Sequence, residues 1–307
     1  MELAVIMYHY VRDAERTPFP RIHALPVGKF ERHLDRLGEK YAFVGAGDVL
    51  AAVRGEARLP EHACLLTFDD GLKDHARNVF PVLRDRGIRG AFFVITSAVE
   101  EARVIDVHKV HFLLARLGTE RMIEAFHDFI SIHSPRLAGL SELRIDDRQR
   151  LSPSRYDDIL TGNLKARLNT LDAPTKTAFL EKLFRDTLGD EAEFAKELYL
   201  SWDDVNTMIR GGMDFGSHTH SHRHIDTLSP KELGSEIATA RDLLKEHTRG
   251  AALPIISYPF GTGDYSAALL DQLVGFGYAL GFTVEVGVNT NLDQPLRLKR
   301  LNANDVL

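Results

Sequence analysis

Short apolar runs rich in β-branched residues alternate along the chain with segments of helical periodicity. The runs have the length of strands, and they predict strands at 3–9, 63–70, 90–96, 213–218, 255–260 and 278–285. Between them, amphipathic helices are predicted at 27–41, 75–87, 229–247 and 265–277. Near-continuous apolar strands that alternate with helices are typical of a parallel α/β sheet or barrel, because helices then cover the strands.

Residues from about 98 to 200 interrupt this alternation. They are polar and helix-like, as in "VHKVHFLLARLGTERMIEAFHDFI", and contain no convincing strand. Because an insertion of this size exceeds an ordinary connection, it is expected either to cap the functional site or to join two copies in a homo-oligomer. The chain, residues 1–307, is thus predicted to be a single domain with a helical insertion at about 98–200.

Composition narrows the class of protein. Hydrophobic residues make up 44% and charged residues 27%, which is ordinary for a soluble globular enzyme. A net charge of −6 without long Lys/Arg runs argues against a nucleic-acid partner. The single cysteine, Cys64, excludes an intramolecular disulfide. No apolar run approaches the ~20 residues of a membrane span, and the start of the sequence lacks signal-peptide features, so a cytoplasmic location is expected.

Chemically active side chains follow the ends of the predicted strands. His9 closes the first strand, Asp69 and Asp70 close the second, and His218 closes the fourth. In parallel β/α folds the carboxyl ends of the strands converge on one face and form the active site there. The sequence therefore predicts an active site that draws on several strands.

The adjacent carboxylates Asp69 and Asp70 are followed by Gly71. One interpretation is a turn, since Asp-Gly is common in turns and an aspartate can cap the next helix. The other is a division of labour. Successive strand residues point in different directions, so one carboxylate can bind a metal ion while its neighbour acts as a base.

Four of the 14 histidines occupy alternate positions, at His218, His220, His222 and His224. Alternation places all four on one face of a strand, whereas a spacing of four pairs the first with the third or the second with the fourth. Two imidazoles and a carboxylate leave metal positions open for water and substrate. The pattern predicts metal-assisted hydrolysis, and a surface loop with incidental histidines is the alternative.

Three segments, in this order, resemble the signature motifs of the polysaccharide deacetylase family, the NodB-homology or carbohydrate esterase 4 group. They are "TFDDG" (67–71), "SHTHSH" (217–222) and "YPFG" (258–261). The resemblance covers roughly 1–97 and 201–290. It implies an α/β fold, an irregular (β/α)7 TIM-like barrel, with one divalent metal ion, commonly Zn²⁺, and an N-acetylated sugar as substrate.

Position by position, the resemblance assigns a role to each motif. The first motif makes Asp69 the catalytic base and Asp70 a metal ligand. The second makes His218 and His222 the other ligands, with Thr219 supporting the loop; the two remaining histidines are then bystanders. The third motif is expected along the substrate groove, where its backbone can donate to an oxyanion. Its residues are Tyr258, Pro259 and Phe260.

The chain departs from the family pattern in two places. Many relatives have an arginine in the third motif that orients the base, where this chain has Ser257 and Tyr258. Arg300 or Arg297 is expected to orient the base instead. Many relatives also have a C-terminal histidine as general acid, and this chain has no histidine after His247.

The segment "MYHYV" (7–11) offers another general acid. A branch of the family that resembles the poly-N-acetylglucosamine deacetylases begins with a strand that ends in Tyr-His. His9 matches that position, and a histidine donates protons readily near neutral pH. His9 is therefore the expected general acid, with a core histidine at a strand end as the alternative.

The sequence thus predicts metal-dependent removal of an N-acetyl group from an amino sugar. The expected substrate is a cytoplasmic nucleotide- or lipid-linked sugar used for surface polysaccharide, such as the O-antigen of lipopolysaccharide. Two alternatives stay open: hydrolysis of another C–N bond, in an N-formyl group, cyclic amide or ureide, and a non-catalytic carbohydrate-binding relative. A phosphoesterase is disfavoured, because no further carboxylates suggest a second metal.

Overall fold

The computed structural model describes residues 1–133, 145–146, 149–151, 157–261 and 265–306. Within them, seven strands close into a parallel barrel in the order β1-β8-β7-β6-β5-β4-β3, because β3 pairs with β1. The short β2 pairs with the N-terminal half of β3, and β4 pairs with its C-terminal half. The predicted (β/α)7 barrel is confirmed. The strands are β1 (Glu2–Tyr8), β2 (Ala42–Val44), β3 (His62–Phe68), β4 (Gly90–Val94), β5 (Asp214–Ser217), β6 (Ile255–Ser257), β7 (Leu280–Val286) and β8 (Leu298–Asn302).

Six of these strands were predicted from apolar runs, and β2 and β8 were not. β2 has three residues, too few to show a periodicity. In β8, Lys299 and Arg300 interrupt the apolar pattern. Both strands form because neighbouring strands supply hydrogen-bonding partners, and that information is not local to either segment.

The register of β1 on β3 brings predicted site residues side by side. The two strands pair continuously up to Tyr8, which lies opposite Phe68. The backbone N–H of Asp69 then donates to the carbonyl of Tyr8 at 3.0 Å. His9 and Asp69, each the first residue after its strand, are therefore neighbours at the C-terminal end of the barrel.

Two layers of buried side chains alternate along the strands. The layer that contains Ala4 and Ile6 packs against helices, and the other fills the barrel. Side chains two positions apart in a strand point to the same face of the sheet. A residue just after a strand therefore points the same way as the strand residue two positions before it. The strand residues of the inner layer are Leu3, Val5, Val44, Ala63, Leu65, Ala91, Phe93, Ile255, Leu280, Phe282 and Leu298.

Twelve α-helices are found among the described residues. They are α1 (Val27–Lys40), α2 (Ala46–Val53), α3 (Phe80–Asp85), α4 (Thr96–Glu100), α5 (Asp106–Leu117), α6 (Thr119–His133), α7 (Ile159–Thr170), α8 (Ala173–Leu188), α9 (Glu191–Leu198), α10 (Trp202–Arg210), α11 (Pro230–His247) and α12 (Ala267–Gly275). The predicted start of α11 is confirmed, because the Ser229 side chain accepts from the N–H of Glu232 and the Glu232 carboxylate accepts from the N–H of Ser229. None of the described helices combines the length and the apolar character that crossing a membrane requires.

The helix predicted at 75–87 differs from the structure. It begins as a π-helical turn, His75–Val79, and continues as α3. The N–H of Phe80 donates to the carbonyl of His75, five residues back. Pro81, which has no N–H, follows directly. The widened turn is a feature that helical periodicity alone does not reveal.

Contact between segments divides the chain into two compact units. The barrel unit comprises Met1–Asp13, Ala24–Arg103 and Ala195–Leu307, and the second unit comprises Ala14–His23 and Val104–Phe194. The second unit has an apolar core of its own, supplied by α5, α6, α7 and α8. It overlaps the predicted insertion at 98–200, and Ala14–His23 joins it although the sequence did not predict that. The predicted capping or oligomeric role stays a prediction, and 134–144, 147–148 and 152–156 lie outside the described residues.

Candidate active site

Four polar residues continue the inner layer toward the C-terminal ends of the barrel strands, two of them within a strand and two just after one. Each lies two or four positions after an inner-layer side chain, so the pleat directs it toward the barrel axis. The barrel thereby concentrates charged and hydrogen-bonding groups at one end. The four, with the inner-layer residue each follows, are His9 after Val5, Asp69 after Leu65, Ser257 after Ile255 and Arg300 after Leu298.

Asp69 is a buried carboxylate with strong donors around it. It is 2% exposed, and Nη1 of Arg300 lies 2.9 Å from each of its oxygens. The Ser257 hydroxyl donates to Oδ2 at 3.1 Å. Burial alone raises the pKa of Asp69, but the surrounding positive charges, chiefly Arg300, outweigh it and lower the pKa. The carboxylate therefore stays ionised and can accept a proton.

The two candidate base-orienting arginines lie in different surroundings. The Arg300 side chain is 1% exposed, and its Nε donates to the carbonyl of Thr283 at 2.6 Å. The guanidinium of Arg297 instead lies over the ring of Tyr265, 5.7 Å from its centroid. Arg300 is thus the one of the two that contacts Asp69.

The three predicted metal ligands lie together. Nε2 of His218 and Nε2 of His222 are 3.4 Å and 3.5 Å from Oδ1 of Asp70. One potential ligand atom from each residue lies within 4.8 Å of the others, and all three residues are buried. A single ion placed among them would contact all three side chains.

The orientation of His218 fits a metal ligand. Its Nδ1–H donates to the carbonyl of Ser257 at 2.8 Å, because a carbonyl can only accept. The lone pair of a neutral ring then resides on Nε2, which faces Asp70, and ligand histidines in proteins are commonly oriented in this way. Burial lowers the pKa of His218, but the charges of Asp69 and Asp70 outweigh it and raise the pKa. The same negative charge favours a divalent cation at this position.

The backbone is strained around these ligands. Asp70, Thr219, His222 and Phe260 have φ values of 76°, 63°, 57° and 60°. Such values are disfavoured for side chains larger than hydrogen, most of all for β-branched and bulky ones, and they cluster at functional sites. The N–H of Thr219 donates to Ser217 Oγ at 3.1 Å, and its Oγ1 accepts from the N–H of His222 at 3.2 Å. Thr219 thereby holds the loop between the two candidate ligands His218 and His222.

The third motif offers one backbone donor to a substrate. Tyr258 is 1% exposed, its hydroxyl donates to Leu296 and its N–H donates to Phe282. The ring of Tyr258 is therefore packed in the core, and its hydroxyl and N–H are both already engaged. Pro259 has no N–H. Phe260 is 42% exposed, and its N–H has no acceptor among the described residues.

His9 lies at the rim beside Asp69. It is partly buried, and its electrostatic interaction with Asp69 is one of the causes that lower the pKa of that carboxyl. Its carbonyl accepts from Nε2 of His75 at 3.1 Å. The next residue, Tyr10, is 8% exposed. Burial, together with the charge of Asp70, raises the pKa of Tyr10 well above its usual range, so its hydroxyl stays protonated near the ligands.

The two predicted bystander histidines lie outside the three-residue cluster. Nδ1 of His220 is 3.0 Å from Oγ1 of Thr96, and its Nε2 is 3.5 Å from a carboxylate oxygen of Glu101. The ring of His224 stacks on the ring of Phe260 with 3.9 Å between centroids. Both are therefore engaged at the edge of the site.

A family model described as polysaccharide deacetylase matches residues 56–281, more than half of the chain. The chain belongs to the polysaccharide deacetylase family. The match contains both the carboxylate motif and the histidine motif, so the family and the clustered side chains point to the same end of the barrel. It does not include His9 or Arg300, which come from β1 and β8 at the two ends of the chain.

One curated relative of this chain is the Bacillus subtilis (strain 168) protein YxkH, whose name also places it among the polysaccharide deacetylases. It is 26% identical over 171 residues, which cover 55% of this chain and 55% of the relative. The chain therefore matches about half the length of that protein.

Several solved structures share the fold. PplD of Streptococcus pyogenes, in complex with acetate, has a TM-score of 0.60 at 17% identity and covers 98% of this chain and 92% of its own. IcaB of Ammonifex degensii has a TM-score of 0.59 at 20% identity, with coverages of 98% and 91%. The BpsB deacetylase domain of Bordetella bronchiseptica has a TM-score of 0.57 at 17% identity, with coverages of 98% and 95%. At such identities the likeness concerns the fold alone.

Sequence reasoning missed two residues of this candidate site. Ser257 appeared in the sequence only as the residue that stands in place of an arginine. Its position two residues after the buried Ile255 was a signal that it faces inward. Tyr10 lies beyond the end of β1, where strand periodicity no longer applies, and no local signal indicated its proximity to Asp70.

Proposed function

We propose that this polysaccharide deacetylase is a metal-dependent hydrolase that removes the N-acetyl group from an amino sugar. One observation carries the proposal: Asp69, held ionised by Arg300, adjoins a buried cluster of one carboxylate and two imidazoles. A base placed beside ligands for a divalent cation is what metal-assisted hydrolysis of an amide requires. The family supports a saccharide as the substrate.

The cluster suits a single divalent ion, for which we propose Zn²⁺. Asp70, His218 and His222 would hold it, because two imidazoles and one carboxylate are a common set of zinc ligands in hydrolases. Such an ion, when bound, polarises a carbonyl and lowers the pKa of water.

The residues of the chain then share the proton transfers. Asp69 accepts a proton from the attacking water, and Arg300 and Ser257 fix the direction of its carboxylate. The N–H of Phe260 donates to the oxyanion, a contact whose loss costs about 3–4 kcal/mol in comparable enzymes. His9 protonates the departing amine, so the C–N bond breaks and acetate and a free amino sugar leave.

The proposal also specifies which acyl group is removed and which carrier, a nucleotide, a lipid or a polymer, bears the N-acetylated sugar. The acetate bound in the PplD structure supports acetyl as the acyl group. We retain a nucleotide- or lipid-linked N-acetylated sugar of surface polysaccharide synthesis as the substrate class, in the cytoplasm. A polymer is the competing carrier, and release of formate or a ureide product would favour the other C–N hydrolases.

The decisive test is Asp69→Asn, which keeps the size of the side chain and removes the base. We expect the variant to retain zinc and to release acetate about 10²–10⁴-fold more slowly, the contribution of a general base. Zinc content is measured by elemental analysis. Acetate release is measured on UDP-N-acetylglucosamine, on a lipid-linked N-acetylated sugar and on N-acetylated oligosaccharides. Asp271→Asn, at an exposed position of α12, is the matched control and should behave as wild type.

Each outcome of this test has a distinct meaning. An Asp69→Asn variant that deacylates at the wild-type rate would show that Asp69 is not the base. Turnover restricted to oligosaccharides would identify a polymer as the substrate. A zinc-loaded wild-type protein that hydrolyses none of these compounds would favour a carbohydrate-binding relative without catalysis.

A further inference from the structure

One carboxylate of α11 holds the loop between the two histidine ligands from outside the site. Oε2 of Glu236 accepts from the N–H of His220 at 3.1 Å and from the N–H of Ser221 at 2.8 Å. Its Oε1 accepts from the Ser221 hydroxyl. Three donors from two consecutive residues thus converge on a single side chain. Hydrogen bonds to an ionised acceptor are stronger than those between neutral groups.

The residues that Glu236 holds lie between the two strained positions of the loop. Thr219 precedes them with φ of 63°, and His222 follows them with φ of 57°. Conformations of this kind persist only where the surroundings restrain them. Thr219 is β-branched, so its left-handed conformation is especially unfavourable. The loop therefore depends on restraints outside its own backbone.

A second helix restrains the loop from another side. The N–H of Thr96 in α4 donates to the carbonyl of Thr219 at 3.3 Å, and the N–H of Ser97 donates to the carbonyl of His220 at 2.9 Å. These are backbone contacts, which a side-chain substitution does not remove. The contacts of Glu236 depend on one carboxylate, so a single substitution removes them and leaves those of α4.

Glu236 contributes little to the packing of its own helix. The buried face of α11 consists of Leu233, Ile237, Ala240 and Leu244, and the capping box at Ser229 stabilises its start. Glu236 is only partly buried. Its loss should therefore leave the helix in place and remove one of the two restraints on the loop.

We propose that Glu236 is a positioning residue for divalent-cation binding. It holds the loop in the conformation that places Nε2 of His222 beside Asp70 and His218, and it does not contact the ion. The inference rests on the proposed function, since it takes these three residues as the ligands. Residues that orient metal ligands typically alter metal affinity by 10–100-fold when they are changed.

The test compares Glu236→Ala and Glu236→Gln with Glu246→Gln, an exposed position on the same helix. The zinc dissociation constant of the full-length, metal-free protein is measured by competition with a chromogenic chelator. We expect it to rise about 10-fold or more for Glu236→Ala. The rise should be smaller for Glu236→Gln, whose amide oxygen still accepts, and within twofold of wild type for Glu246→Gln. His218→Ala, which lacks one of the proposed ligands, gives the zinc dissociation constant expected of a disrupted site.

A purely structural role would lower the thermal midpoint of the metal-free protein and leave zinc affinity unchanged. Two further readouts therefore accompany the titration: that midpoint, and the visible absorption spectrum of the Co²⁺-loaded protein, which reports the arrangement of the ligands. We expect Glu236→Ala to change the Co²⁺ spectrum and Glu246→Gln to preserve it. If Glu236→Ala is too unstable to purify, the same measurements on Glu236→Gln test the positioning role.

Zinc affinity within twofold of wild type in both Glu236 variants, with an unchanged Co²⁺ spectrum, would overturn the positioning role and leave the proposed function intact. If the wild-type protein instead binds zinc no better than His218→Ala does, the proposed metal site is wrong, and the positioning role of Glu236 is wrong with it. Weaker zinc binding at an unchanged thermal midpoint supports the proposal.

Discussion

At Asp69 a carboxylate lies buried at the end of the barrel with a guanidinium and a hydroxyl as its partners. Burial of an unpaired carboxylate is costly and favours its neutral form. The buried Arg300 reverses that preference, and Ser257 fixes one of the two oxygens. At the residue scale, the ionised carboxylate of the proposed base thus depends on a contact between side chains that are 231 positions apart in the chain.

The planar guanidinium of Arg300 makes two contacts at once, through Nε to Thr283 and through Nη1 to Asp69. Arg300→Lys keeps the charge but lacks this fork of donors. We expect kcat to fall about 10²-fold with KM little changed, because small misplacements of a catalytic group have effects of this size. Steady-state kinetics of acetate release measure both constants.

Arg297→Lys is the matched control, since that guanidinium lies over Tyr265 and not at Asp69. It should keep kcat within about twofold of wild type. Equal losses in the two variants would argue against a specific role for Arg300.

At the element scale, the residue after β6 and the segment before β8 both approach β7 closely at Gly281. A Cβ atom at this position would lie 2.2 Å from the hydroxyl oxygen of Tyr258 and 2.5 Å from the carbonyl oxygen of Leu296. These two atoms are hydrogen-bonded to each other at 2.8 Å. Glycine is therefore required here, because neighbouring groups approach the backbone closely. The hydrogen bond that it permits fixes Tyr258, which directly precedes Pro259 and Phe260 in the third motif.

Gly281→Ala should disrupt that bond and lower the free energy of unfolding by about 1–3 kcal/mol, the usual cost of overpacking. Gly47→Ala in α2 is a suitable contrast, because no atom lies within 4 Å of the added methyl group. It should raise the free energy by about 0.5–1 kcal/mol through helix propensity. Urea unfolding of the two variants and the wild type checks both values. A Gly281→Ala protein as stable as Gly47→Ala would contradict the close approach.

At the scale of the whole molecule, stability should depend on pH through buried histidines. His75 is fully buried in the π-helical turn. Burial lowers its pKa from 6.5 to about 4. Between these values the unfolded chain binds a proton that the folded protein does not. The contribution of His75 is therefore complete above pH 6.5 and is lost progressively as the pH falls toward 4.

Replacement of His75 by glutamine should remove this dependence. The amide can still donate to the carbonyl of His9, but it does not titrate. We expect the wild type to lose on the order of 2–3 kcal/mol more than His75→Gln between pH 7 and pH 4.5. Urea unfolding at the two pH values measures the difference. Equal losses in the two proteins would show that His75 does not set the acid stability.

The local pattern of the sequence was sufficient for six strands, for the start of α11 and for the three motifs, because each depends on residues close together in the chain. It also indicated which side chains meet, since parallel strands bring their carboxyl ends to one face. From the local pattern followed a parallel α/β sheet or barrel whose carboxylate and histidine residues gather at one end, and the resemblance of the three motifs to the deacetylase family implied the barrel.

The tertiary structure decided what depends on distant segments. Strand pairing selected Arg300 over Arg297 as the partner of Asp69, and it turned Ser257 toward the same carboxylate. Contacts between segments, not composition, joined Ala14–His23 to the second unit. Periodicity is a property of neighbouring residues, whereas register, burial and charge pairing arise only when remote parts of the chain pack together. The sequence alone therefore determined which motifs carry candidate residues for catalysis, and the packed barrel decided the partners of those residues.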